Sequence, residues 1–218
     1  MGFFTEYLAD PSTRATLIDQ SLEHVTLTAV PVLSATVIGL LLGILAHRVP
    51  TVRQPILSVV STFLTIPSLA LFALLIPIVG IGATPAIVAL TMYALLPIVR
   101  NTVSGLASVD RAVVESAKGM GMTATTRLLR IELPNAWPVM LAGVRVATLL
   151  TIGIAAIAAL VGGPGLGQEI FSGIRRIPAA GSLEALLGGT LFIVALALLF
   201  DLLYLAIGRL TIPRGIRD

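Results

Sequence analysis

Five long apolar runs, each bounded by charged or turn-forming residues, account for most of this chain and dictate its architecture. They cover residues 25–46, 56–79, 85–99, 137–161 and 183–207. About 20 apolar residues in a helix cross the roughly 30 Å hydrocarbon core of a bilayer. A helix also satisfies its own backbone polar groups there, which an irregular chain does not. The third run is short unless it extends to about residue 102, and only "GIGAT" separates it from the second. Pro67 and Pro77 should kink or break the second run, because each removes a backbone donor. The expected fold is an all-α polytopic membrane protein of five or six spans.

Composition excludes most other classes. Only 11% of the 218 residues are charged and 56% are hydrophobic, against about 25% charged in a typical soluble domain. The net charge of +3 gives no basis for nucleic-acid binding. Cysteine is absent, which removes disulfides, thiolate catalysis and thiolate-ligated metals. His24 and His47 are too few and too far apart for a metal site. No nucleophile–base pair or paired carboxylates point to an enzyme. The opening "MGFFTEYLADPSTRATLIDQSLEH" has acids where a signal peptide has positive charge. Residues 1–24 read instead as an amphipathic lead-in, with Ser12 capping a short helix that passes into the first span.

Basic residues set an orientation. If the polar segment around residue 120 is cytoplasmic, ten of the fourteen basic residues fall inside: Arg48, Arg53, Arg100, Arg111, Lys118, Arg127, Arg130, Arg209, Arg214 and Arg217. Arg14, Arg175 and Arg176 fall outside, and Arg145 lies within the fourth span. This fits the positive-inside rule with an outer N-terminus and an inner C-terminus, although Arg175 and Arg176 run against it. The chain then divides into a lead-in (1–24), a membrane domain (25–208) holding an inner loop (100–135) and an outer loop (162–182), and an inner tail (209–218).

The inner loop contains "ESAKGMGMTATTRLLRIELP", residues 115–134. Asp110 can cap a first short helix that ends at the glycines, and Thr123 can cap a second that stops at Pro134. Val113, Ala117 and Met120 share one face. The residues themselves allow either a compact helix–turn–helix knob or a solvated connector. Their order is Glu115-Ser116-Ala117, three residues, Gly121, nine residues, Ile131, one residue, Leu133-Pro134. This resembles the EAA loop of ABC importer permeases at every spacing, with Ser116 replacing the middle alanine. The resemblance implies a methionine-importer-like permease bundle whose coupling helix docks on a separate ATPase dimer. Glu115 would pair with the partner, Ala117 would allow close approach, Gly121 would permit the turn and Pro134 would fix the start of the fourth span. ATP and magnesium would belong to that partner, since no G-x-x-x-x-G-K-[ST] occurs here. The glycine run "GGPGLG" at 162–167 follows a span rather than a strand and reads as a flexible re-entry loop, not a phosphate site.

Three further stretches, 65–82, 85–106 and 160–174, resemble the osmoprotectant or quaternary-amine branch, whose members carry glycine betaine, choline, carnitine or proline betaine. Methionine-type permeases share a similar glycine run and are the alternative. The resemblance also implies an extracytoplasmic substrate-binding protein, a second permease copy or related permease, surrounding lipid, and a bacterial cytoplasmic membrane. Quaternary ammonium groups are held by aromatic rings, yet aromatics are only 5% here, so selection is expected on the binding protein. Candidate path-lining groups are Ser61, Thr62, Thr65, Ser68, Thr91, Tyr93, Thr148 and Thr151. Arg145 and Asp201 lie at similar depth within their spans and can pair there. An ion-coupled secondary transporter and a membrane scaffold are the readings of a different class. The first should show more buried acids and inverted repeats.

Overall fold

The computed structural model describes residues 7–212. Within them, α1 runs without interruption from Pro11 to Arg48. Its 38 residues rise about 57 Å, well beyond the thickness of a hydrocarbon core. The lead-in thus passes into the first span as one continuous helix. Residues 12–30 contain neither glycine nor proline, so nothing stops the helix before the apolar run begins. The cap is Asp10 rather than Ser12: its carboxylate accepts from the backbone amides of Ser12 and Thr13, and the Ser12 and Thr13 hydroxyls add to it. These bonds hold the Asp10 pKa down at about 2.

The second run is a bent pair, α2 (Pro50–Thr65) and α3 (Ser68–Val79), turning through 101°. The break lies at Ile66–Pro67, where both residues are extended, as expected for a residue that precedes proline. Pro77 stays inside α3 and does not break it. The Ile66 carbonyl at the bend accepts a hydrogen bond from the Tyr93 hydroxyl of the next span, at 2.8 Å. That span, α4 (Ala83–Ala107), is longer than expected at both ends and is the most buried of the spanning helices.

After a charged connection, helix resumes at Ala124 and continues through α7 (Leu133–Ala155) into a 3₁₀ segment, Ala156–Val161. A short α8 (Gly167–Arg176) and a final long α9 (Ser182–Thr211) complete the fold. Four helices are long and apolar enough to cross a membrane, and the bent pair makes a fifth crossing if counted as one. Residues 1–6 and 213–218, including Arg214 and Arg217, lie outside the described residues.

The centre of the bundle is α4 against α1 and α7, and small residues let these backbones approach. A Cβ on Gly39 would meet Ile98 Cγ2 at 2.8 Å, and one on Gly43 would meet Thr102 Cβ at 2.5 Å. On the other side, a Cβ on Gly143 would meet Asn101 Cβ at 2.5 Å and the Pro97 carbonyl at 2.8 Å. Such contacts suit a membrane bundle, where helix association depends on close packing rather than on exclusion of water.

The last helix is held differently. None of its apolar window is buried in the chain, and polar side chains tie it to α7. Arg145 Nε donates to Asp201 Oδ1 at 2.6 Å and its Nη2 to Oδ2 at 2.8 Å, a two-pronged pair. One turn on, the Thr148 and Tyr204 hydroxyls meet at 2.8 Å. At the helix end, Trp137 Nε1 donates to Thr211 Oγ1 at 2.7 Å.

Two outcomes follow for thermal unfolding of the purified protein in detergent. Gly143→Ala should destabilise by roughly 1–3 kcal/mol through overpacking, whereas Gly153→Ala, with nothing within 4 Å of its Cβ position, should be neutral or stabilising. Arg145→Ala should lower the unfolding midpoint by leaving Asp201 without its ion pair, and the exchange Arg145→Asp with Asp201→Arg should recover part of the loss. An exchange as damaging as the single change would mean that the charges do not act as a pair.

Candidate coupling surface and transport path

The bundle has two distinct ends. One gathers the N-terminal part of α1, the 80–82 turn, the glycine run and α8. The other gathers Arg48, the connection from residue 108 to 123, and the ends of α7 and α9. The second carries the EAA-like residues. There α5 (Arg111–Gly119) begins at Asp110, whose carboxylate accepts from the Ala112 amide at 2.8 Å. It ends in a two-bond turn: the Met122 amide donates to the Ala117 carbonyl at 3.2 Å and the Gly121 amide to the Lys118 carbonyl at 2.9 Å. This closure needs a left-handed residue at its hinge, and Gly121 supplies it with φ +79°.

Thr123 caps the next segment by accepting from the Thr126 amide at 3.3 Å. The segment does not stop at Pro134 as expected. α6 (Ala124–Arg127) passes through a π-helical turn, Leu128–Glu132, directly into α7. Proline lacks an amide to give to residue 130, and its ring would strike that carbonyl in a regular helix. The widened turn just ahead of Pro134 absorbs this conflict, so the helix continues.

Glu132 fixes the geometry. Its side chain is buried, and it accepts from Arg127 Nε at 2.8 Å and from Arg48 Nη2 at 3.1 Å. Arg48 Nη2 also reaches the Ala124 carbonyl at 3.4 Å. One carboxylate thus ties the end of α1 to both ends of the π turn. The sequence hinted at this only through a single acid among Arg127, Arg130 and Arg48, and the long-range partner was not readable from spacing.

Between α5 and these tied ends lies a cavity of about 500 Å³. Arg111, Val114, Glu115 and Lys118 line it from α5, and His47, Arg48, Arg127 and Glu132 from the facing side. Ala117 is buried beside the turn, Val113 and Met120 project outward, and Ser116 and Gly121 are exposed. Of the three residues expected to share a face, Ala117 is thus an inner anchor and Val113 and Met120 are exposed apolar tips. Ile131 and Leu133 are half-buried and Pro134 is exposed.

The path candidates separate into two groups. On α2, the Ser61 and Thr62 hydroxyls both donate to the Ser58 carbonyl at 2.9 Å, and Thr65 donates to Thr62 at 2.7 Å. Thr62 and Thr65 are exposed, and Ser61 and Ser68 are partly so. Thr91 is half-buried and bonds to the Ile87 carbonyl at 2.8 Å. Tyr93, Thr148 and Thr151 are instead packed in the core. Tyr93 closes the bend, Thr148 bonds to Val144 and Tyr204, and Thr151 bonds to Ala147. Tyr93 and Thr148 thus join separate elements, whereas the Thr151 hydroxyl is bonded within its own helix.

The glycine run is not the flexible loop expected. The Gly165 amide donates to Glu23 Oε2 at 2.9 Å, the Gly163 amide to the Ala158 carbonyl at 2.8 Å, and Gln168 Nε2 to the Gly163 carbonyl at 3.1 Å. The loop is strapped to α1 and to the 3₁₀ segment. Among the described residues, no cluster of potential metal ligands is present.

Comparison with known proteins agrees with this architecture. Residues 35–212 match the model of the family described as binding-protein-dependent transport system inner membrane component. A choline transport system permease protein of Bacillus subtilis is 36% identical over 201 residues, spanning 92% of this chain and 91% of the relative. A carnitine transport permease protein of Listeria monocytogenes is 37% identical over 205 residues, spanning 93% and 91%. An osmoprotectant import permease protein of Salmonella typhimurium is 39% identical over 206 residues, spanning 92% and 94%. Among solved structures, a chain of the MetNI methionine ABC transporter in an inward-facing conformation superposes with a TM-score of 0.82 at 24% identity, covering 93% of this chain and 99% of its own. With a family match across most of its length and relatives above one-third identity over nearly all of it, this chain belongs to the inner-membrane permease components of binding-protein-dependent ABC transport systems.

Proposed function

We propose that the chain is the membrane-spanning permease of an ATP-driven importer for quaternary-ammonium osmoprotectants such as choline, carnitine and glycine betaine. The names of the three relatives support the solute class. Methionine is a weaker reading, since the solved neighbour is similar at the level of fold alone. The permease works in a multi-pass arrangement in a bacterial inner membrane, with its N-terminus outside and the Arg48–Glu132 end inside. A binding protein delivers solute to the glycine-rich end, a partner ATPase dimer with ATP and magnesium sits at the charged end, and a second permease subunit completes the path.

The observation that carries this reading is the form of the 108–134 segment. A capped helix with exposed Val113 and Met120 ends in a rigid glycine hinge and runs on, through a carboxylate-clamped turn, into a span. Such a segment can take a push from a partner and tilt α7, since a continuous helix transmits displacement along its axis. The bundle itself needs no energy source. With few aromatic rings, the path holds solute loosely and leaves selection to the binding protein.

The test is uptake into proteoliposomes that contain this chain, its ATPase and its binding protein. Radiolabelled choline, carnitine or glycine betaine should accumulate with ATP, and accumulation of methionine in their place would contradict the solute class. Gly121→Val should reduce uptake about tenfold, because a branched residue resists positive φ, and Glu115→Arg should reduce it similarly. Both variants should assemble in normal amounts. Normal uptake by the pair would contradict coupling through this segment whichever solute is carried.

A further inference from the structure

α1 carries an unusual polar row near the glycine-rich end. Gln20, His24 and Thr28 recur every fourth residue and so share one face of the helix. Each has a buried atom with no hydrogen-bond partner among the described residues: Gln20 Oε1, His24 Nδ1 and Thr28 Oγ1. His24 and Thr28 are fully buried. Buried polar groups are ordinarily paired with protein or with water, so three in succession require an explanation.

Thr28 is the most telling. Elsewhere in the long helices, threonine hydroxyls bond back to the carbonyl four residues earlier, as Thr26 does to Leu22, Thr36 to Val32, Thr102 to Ile98 and Thr151 to Ala147. Thr28 makes no such bond, although no side chain in the helix is more buried. His24 is fixed by a contact of 3.1 Å between Nε2 and the Ile152 carbonyl. A carbonyl only accepts, so Nε2 carries the hydrogen, and in the neutral ring Nδ1 presents a bare lone pair. The Gln20 oxygen is likewise an acceptor. Gly165 lies against the ring: a Cβ there would come within 3.1 Å of Nδ1. Such a Cβ would also lie 3.2 Å from the His24 Cα and Cβ, so only a residue without a side chain fits against this histidine.

We infer that this face binds a row of internal water molecules. The ligand must donate to Gln20 Oε1 and to His24 Nδ1 and can either donate to or accept from Thr28. Water does all of this. An anion would meet lone pairs. A metal cation would want a carboxylate, and the neighbouring Glu23 is engaged by the Gly165 amide. The row lies where α1 meets the end of α7, close to its change into 3₁₀ helix at Ala156. Water gives this end of α1 hydrogen bonds that can be remade after a small shift. The opposite end has no such freedom, with Gly39 and Gly43 packed on α4 and Arg48 held by Glu132.

Thr28→Val tests the inference by sign, using the full-length protein in detergent. Replacing a hydrated hydroxyl with a methyl group strands the water, and the unfolding midpoint should fall by about 2–4 °C. Replacing a dry, unpaired hydroxyl removes a penalty, and a rise in the midpoint would overturn the proposal. Hydroxyl-radical footprinting of the wild-type protein by X-ray pulses gives a reading independent of the variant. His24 should be oxidised despite its burial, because radiolysis of adjacent water generates the radical in place. An unlabelled His24 would contradict bound water. So would a midpoint that changes on exchanging sodium for potassium at constant ionic strength, since the occupant would then be an ion.

Discussion

The buried carboxylate of Glu132 is the contact on which the arrangement of this protein turns. A lone charge removed from water is costly, and it is tolerated when paired and hydrogen-bonded. Here Arg127 and Arg48 supply the pairing from opposite directions. The consequence is mechanical. Arg48 ends the first span, Arg127 precedes the π turn, and Glu132 ends that turn. The three residues tie the π turn ahead of α7 to the end of α1.

The remaining architecture supports the same division of labour. α4 forms the centre, where glycines on α1 and α7 let three helices pack at backbone distance. α9 is attached from outside by polar contacts, of which the Arg145–Asp201 pair is the strongest geometrically. The bend at Ile66–Pro67 is held by Tyr93 and leaves the hydroxyls of α2 on an exposed face.

Much of this was legible in the sequence, for reasons that can be named. Hydrophobic run length located the crossings, because the bilayer fixes how many residues a helix needs. Asp110 and Thr123 were readable as caps because capping is local. Arg145 and Asp201 could be placed at one depth by counting from the interface, and they bond in the structure. The errors came where a local rule met a longer-range one. Pro134 did not end its helix, since the π turn ahead of it removed the clash. The hydroxyls of Tyr93 and Thr148 bond across to other elements, a partnership that spacing does not carry. The Arg48–Glu132 contact joins residues far apart in sequence, and spacing alone carries no trace of it.

The account rests on α6, the π turn and α7 moving as one body. The direct measurement is the distance between spin labels at Thr125 and Gly153, both exposed, in the reconstituted complex with its ATPase. The helix between them spans about 40 Å, within reach of pulsed electron resonance. The account predicts one narrow distance that stays the same without nucleotide and with ATP trapped. A second distance, or a shift on trapping ATP, would show that the helix bends at the π turn and would contradict transmission through it.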